Sequence, residues 1–259
     1  MKDIFNKGLP IFELIEGFTI SKKGTIPVSS KVVKYVDNDL LNFLVHQVLP
    51  DYLRNIDRSN SIEQVTMVLC TAISLVSVGN LALDYDLVAI MCSYYNLGRI
   101  NNPRLSTRYM AAIMELQSDS DILMKEYDIK EKDLIKISNA IEELDTYKKS
   151  NAYGMVLSDA VRVPDLNPDY LIKRVTNYVV SNYTYESTER LISRIYNTIK
   201  LIFKDNKAPG TIFYTPIGQN TYMQNIHNIR EMLKDKDIFI ERLKSLSDKE
   251  FEKKKEARG

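Results

Sequence analysis

The chain contains no tryptophan, two histidines and two cysteines in 259 residues. Its 35 Lys and Arg nearly cancel its 34 Asp and Glu, leaving a net charge of +1. Each scarcity removes a class of protein. Two cysteines, Cys70 and Cys92, cannot build the disulfide framework of a small secreted domain; both lie in apolar helical runs and read as buried thiols. Two histidines, His46 and His227, are few for a metal centre built on imidazole. A charge balance near zero gives no general attraction to nucleic acid or an anionic membrane, so neither is an expected partner. No apolar run approaches the ~20 residues that span a bilayer. The first seven residues, Met1-Lys2-Asp3-Ile4-Phe5-Asn6-Lys7, carry an acid and lack the apolar core of a cleavable leader, so a cytoplasmic protein is expected. Gly-x-Gly-x-x-Gly, the P-loop, Cys-x-x-Cys and His-Glu-x-x-His are all missing, and no cofactor is expected.

What remains is ordinary globular material, 44% hydrophobic and 27% charged, long enough to bury a sizeable core. Residues 1–36 are broken by Gly8, Pro10, Gly17, Gly24 and Pro27 and read as a short irregular or partly extended arm. Phe12–Ile15 and Gly17–Ile20 are candidate strands, with a turn at Lys22–Thr25. From Asp37 the apolar residues recur at helical spacing almost to the end, predicting an all-α multi-helix bundle over 37–259. Asp37 or Asn38 caps a helix bearing Leu40, Leu41, Leu44, Val45 and Val48, which Pro50 should bend or break. A second helix opens near Ser61 and stops at Gly79-Asn80; a third starts at Asp84 or Asp86 and closes at Gly98. Further helices are expected over Leu105–Leu116, Ile122–Tyr127, Lys130–Asp145, Ala152–Val161, from Pro168, and over Ser187–Phe203 with Ile202 inward. Thr211–Pro216 reads as extended, ahead of helices over Tyr222–Leu233 and Asp237–Phe251.

One ordered set of residues carries a resemblance. The apolar run Ala89–Tyr94 is followed by Tyr95-Asn96 and then Leu97-Gly98-Arg99. Ser61 opens a helix some 35 residues earlier, and Ser158-Asp159-Ala160-Val161-Arg162 follows later. Over roughly residues 59–200 this order resembles the HD superfamily of metal-dependent phosphohydrolases. In that family a helix ends in His-Asp before an apolar residue and glycine, an earlier helix brings a ligand histidine, and a later Asp completes the metal set. Tyr95, Asn96 and Ser61 stand where the resemblance implies His, Asp and His, and Val161 replaces a second acid. Asp159 alone matches. The resemblance therefore implies an HD-like fold whose metal ligands are largely replaced, with Ser61, Tyr95, Asn96 and Asp159 lining a relict pocket and no metal bound. Arg99, Arg104 and Arg108 would border that pocket and could hold a nucleotide or phosphate through charge-assisted hydrogen bonds.

Other constellations are weaker. The acid pairs Glu142/Glu143, Asp84/Asp86 and Asp119/Asp121 read as caps or solvated faces, and no catalytic residue is named from them. His46 reads as a packed or hydrogen-bonded histidine beside its helix's apolar face, and His227 as a surface residue. The leading expectation is a catalytically inactive HD-like protein that acts by binding a protein partner, a second copy of itself, or a phosphorylated small molecule. The alternatives are a phosphohydrolase with a rearranged site around Asp159, and a structural or assembly protein of a virus or mobile element.

Overall fold

Capping side chains decide most of the helix starts. The computed structural model describes residues 18–20, 24–26, 28–53, 62–98, 108–164, 167–183, 185–203 and 213–256. The chain divides into two compact units, one of residues 1–164 and 213–221, the other of 165–212 and 222–259. The architecture is an all-α helical bundle, as the periodicity predicts, with one small hairpin.

In the first unit, β1 (Phe18–Ile20) pairs antiparallel with β2 (Gly24–Ile26), Thr19 opposite Thr25. The proposed strand at residues 12–15 lies outside the described residues. The arm also ends earlier than expected: α1 (Ser30–Tyr35) is helical, capped by the Ser29 hydroxyl, and buries Val32. Asp37 caps α2 (Asn38–Phe43), its carboxylate accepting from the Asp39 and Leu40 N–H groups at 2.9 and 3.1 Å. The chain then widens into one π turn, Leu44–Val48, before Pro50 opens α3 (Pro50–Leu53). A proline ring crowds the carbonyl four residues back, and a π turn at that place relieves the clash. The wider turn brings Leu44, Val45, Val48 and Leu49 all inward.

The central helix is α4 (Ile62–Gly79), with Val65 to Val76 buried almost without interruption. It is long and apolar enough to cross a membrane by length and composition, yet 61% of it is buried inside the bundle. Its end is a left-handed cap: Asn80 has φ 50°, and the Leu81 N–H donates to the Val76 carbonyl at 3.0 Å. Asp84 caps α5 (Tyr85–Tyr94). Gly98 does not close this helix, contrary to expectation: the turn falls at Tyr95-Asn96, and Leu97-Gly98 is already helical again. After α6 (Arg108–Ser118), α7 (Ser120–Glu126) and α8 (Glu131–Glu142), α9 (Ala152–Arg162) returns through the middle and packs on α4, α5 and α8.

The second unit holds α10 (Pro168–Asn182), capped by Asn167 with proline at the first turn as expected. It also holds α11 (Thr188–Ile202), capped by Ser187, the end of α12 (Pro216–Lys234), and α13 (Lys236–Glu256). Leu191, Ile195 and Ile199 are buried on α11, but Ile202 is 45% exposed rather than inward. Tyr196 meets Phe239 edge-on at 5.2 Å and donates its hydroxyl to the Leu233 carbonyl. The segment expected to be extended before Tyr222 is instead a bend at Tyr214-Thr215 followed at once by α12; its residues 211 and 212 lie outside the described residues.

Candidate functional site

Asp159 sits on the buried face of α9 between Ser158 and Ala160, fully enclosed. The segment entering α12 closes over it. The Tyr214 N–H donates to Oδ1 at 3.0 Å, and the Thr215 N–H and hydroxyl donate to Oδ2 at 2.8 and 2.7 Å. The Thr215 Oγ1 in turn accepts from the Gly218 N–H at 3.0 Å, so Thr215 caps α12 with proline in the next position. The carboxylate thus meets N–H groups at a helix start, where the backbone dipoles favour an anion. Gly218 leaves the room: a Cβ there would stand 2.6 Å from the Asp159 Oδ2 and 2.8 Å from the Thr215 Oγ1. Burial pushes the Asp159 carboxyl above its ordinary value, against the pull of the Thr215 hydroxyl, the Tyr214 and Thr215 N–H groups and the Arg162 charge.

Beside this carboxylate, Lys149 is 8% exposed, an unusual place for an ammonium. Its Nζ donates to the carbonyls of Glu143, Leu144 (3.0 Å) and Thr146 (2.8 Å), closing the carbonyl end of α8 and the 3-10 turn after it. Burial lowers its pKa, with the nearby Arg162 acting in the same direction; three carbonyl acceptors hold all three protons in place. Tyr214 ties the two groups together. Its ring centre lies 5.4 Å from the Lys149 Nζ, and its hydroxyl donates to the Tyr147 carbonyl at 2.7 Å. Both Asp159 oxygens, the Lys149 ammonium and the Thr215 hydroxyl have partners within the protein, which suits a structural junction better than a reacting centre.

A second polar corner lies around α5. Tyr95 and Asn96 are 3% and 8% exposed. The Tyr52 hydroxyl donates to the Ser93 carbonyl at 2.9 Å, and burial, then the neighbouring Tyr95, hold its phenol well above the usual range. Tyr94 donates to the Asp119 Oδ2 at 2.6 Å, and burial together with that acid raises its pKa as well. Asp119 stands at the start of α7 but gives its side chain to Tyr94 instead of capping that helix. Cys70 and Cys92 are buried, and burial raises both thiols, which keeps them unreactive.

Of the residues proposed from sequence, Ser61, Arg99 and Arg104 lie outside the described residues. Arg108 opens α6, and its side chain is likewise outside them. Tyr95, Asn96 and Asp159 are all buried in the first unit, but the hydrogen bonds on Asp159 come from Tyr214 and Thr215. His46 is exposed, not packed, because the π turn directs its neighbours inward. His227 is on the surface, 4.0 Å from Glu231. The acid pairs behave as caps and surface partners: Asp84 accepts from the Asp86 N–H at 2.8 Å, Asp86 from the Asp37 N–H at 2.8 Å, and Glu143 from the Ser150 N–H at 2.7 Å.

The metal centre of the resembled family does not fit these residues. Among the described residues no group of three or more His, Cys, Asp or Glu side chains could hold a metal ion. A phenol at Tyr95 and an amide at Asn96 are poor ligands beside imidazole and carboxylate. Both oxygens of Asp159 are already engaged. Lys149, Tyr214, Thr215 and Gly218 are absent from the sequence-derived site. Thr215-Pro216 is a helix-start signal that could have been read, since Thr favours the cap and Pro the first turn; nothing local distinguishes Lys149 from Lys148. No family model matches this chain, and no curated protein or solved structure is found similar to it.

Proposed function

We propose that the protein is a non-catalytic helical binding protein on an HD-like frame, acting through a partner or ligand instead of turnover. The observation that carries this reading is the state of Asp159. The one acid that the resemblance would assign to metal has its two oxygens held by the Tyr214 N–H and by the Thr215 N–H and hydroxyl, with α12 starting from that contact. Metal at this carboxylate would have to displace those donors and leave buried N–H groups unsatisfied, a cost of about 1–3 kcal/mol each.

The test is metal content and hydrolysis together. Protein purified without chelators, then incubated with Mn²⁺ or Fe²⁺ and desalted, should retain no stoichiometric metal by elemental analysis. It should also release no phosphate from nucleoside triphosphates or p-nitrophenyl phosphate above a metal-only control. Stoichiometric metal lost in Asp159→Ala, with metal-dependent phosphate release lost in the same variant, would establish the alternative, a phosphohydrolase with a rearranged site.

A further inference from the structure

The second unit carries an open cleft of about 300 Å³ lined by Glu186, Arg190, Ser193, Arg194 and Asn197. Four of these stand on α11 at positions 190, 193, 194 and 197, a spacing that places them on one face. Their states differ. Arg194 is fixed from two sides: its Nε and Nη2 donate to the two Glu186 oxygens at 2.7 and 2.5 Å, and its guanidinium lies 4.0 Å from the centre of the Tyr183 ring. Arg190, one turn earlier, is exposed, and its guanidinium meets no acid among the described residues. The Ser193 hydroxyl and Asn197 amide are exposed on the same face, also without a side-chain hydrogen bond to the described residues. Glu186 is the cleft's only acid among the described residues, and Arg194 already neutralises it.

From this arrangement we infer that the cleft is a binding site for a phosphate monoester group. The fork of Arg190 takes two phosphate oxygens, and the Ser193 hydroxyl and Asn197 amide donate to the third; a carboxylate has only two oxygens and leaves the last donors unused. The paired Arg194 contributes a preset wall, since Glu186 and Tyr183 hold its side chain in one place. The charge of the unit acts in the same direction: it holds 17 Lys and Arg against 13 Asp and Glu, whereas the first unit holds 18 against 21. This site is distinct from the pocket suggested around Asp159 and does not depend on the HD-like reading.

The experiment is a titration of the ¹⁵N-labelled full chain with inorganic phosphate and with methyl phosphate at constant ionic strength, followed by NMR of the backbone and arginine Nε–H signals. Saturable shifts centred on residues 186–197 are expected. Arg190→Gln should weaken binding about tenfold, the size of one charge-assisted contact. Lys200→Gln, which removes the same charge from the same helix outside the cleft, should change it less than about twofold, the residue of a screened distant charge. Circular dichroism of both variants should match the parent, because both side chains are exposed. Any of three results overturns the inference: no saturable shift with either phosphate, equal loss in Arg190→Gln and Lys200→Gln, or acetate binding as tightly as methyl phosphate.

Discussion

In the first unit, the charges of interest are inside. Lys149 and Asp159 are buried, and each is surrounded by backbone groups, carbonyls for the cation and N–H groups for the anion. In the second unit the corresponding pairs are at the surface. Arg194, 45% exposed, holds the half-buried Glu186, and Arg242 holds Asp169 in a fork with its own side chain 51% exposed. The difference teaches where charge is structural. A buried ion held by backbone dipoles fixes the ends of helices, and removing it leaves several orphaned groups. An exposed pair can be replaced by water at little cost. The larger hydrophobic core follows the same division. Its cluster runs from Val28 to Ala160 with Ile217, wholly within the first unit. The second unit buries shorter faces, such as Leu191, Ile195 and Ile199 on α11.

The comparison breaks first at Asp159. Asp159→Ala should cost about 3–5 kcal/mol in urea unfolding, because two N–H groups and one hydroxyl lose their partner in a dry site. A loss below about 1 kcal/mol would mean that α12 starts equally well without the carboxylate and that the buried cluster is not structural.

Tyr94 gives the next largest effect, and its pH dependence has a definite sign. Its folded-state phenol is raised by burial and by Asp119, from the ordinary value near 10. The folded state therefore binds this proton more tightly than the unfolded state. The contribution is fully present below about pH 10 and is lost as pH rises beyond it. Tyr94→Phe should cost about 1.5–3 kcal/mol at pH 7, the range for a hydrogen bond to a charged group. The gap between parent and variant should narrow above pH 10 in parallel denaturation curves. A gap that stays constant to pH 11 would contradict the assignment.

The smallest effect belongs to the surface fork. Arg242→Ala should change stability by about 0.2–1 kcal/mol, with the difference falling as salt is raised. A loss comparable to that of Asp159→Ala would erase the distinction between the two units.

Sequence alone shows the architecture well where a local signal exists. Asp37 and Asp84 cap helices at the starts expected of them, and Asn151, Asn167 and Ser187 do the same in the structure, because a side-chain oxygen beside an apolar run competes for the first free N–H groups regardless of context. Pro168 at a first turn and the stop at Gly79-Asn80 follow from backbone sterics and are equally local. The buried residues of α4 and α8 follow from helical period. Local signals fail where two distant segments meet. The run through Tyr95-Asn96 looks like a helix ending in glycine, but the turn comes before Gly98. Residues 30–35 form a helix inside a stretch that glycine and proline make irregular on paper.

The identity of the candidate site was decided by tertiary structure. Asp159 is visible in the sequence as a lone acid in an apolar helix. Its partners, Tyr214 and Thr215, are more than fifty residues away, and no spacing rule connects them. Lys149 and Lys148 are indistinguishable by type and neighbourhood; one is buried because three carbonyls converge on its Nζ, the other is exposed. Periodicity and caps determined that the chain would be a bundle of helices, since both act within a few residues. Which charges are enclosed, and which remain open to a ligand, depended on the packing of segments that the chain brings together only when folded.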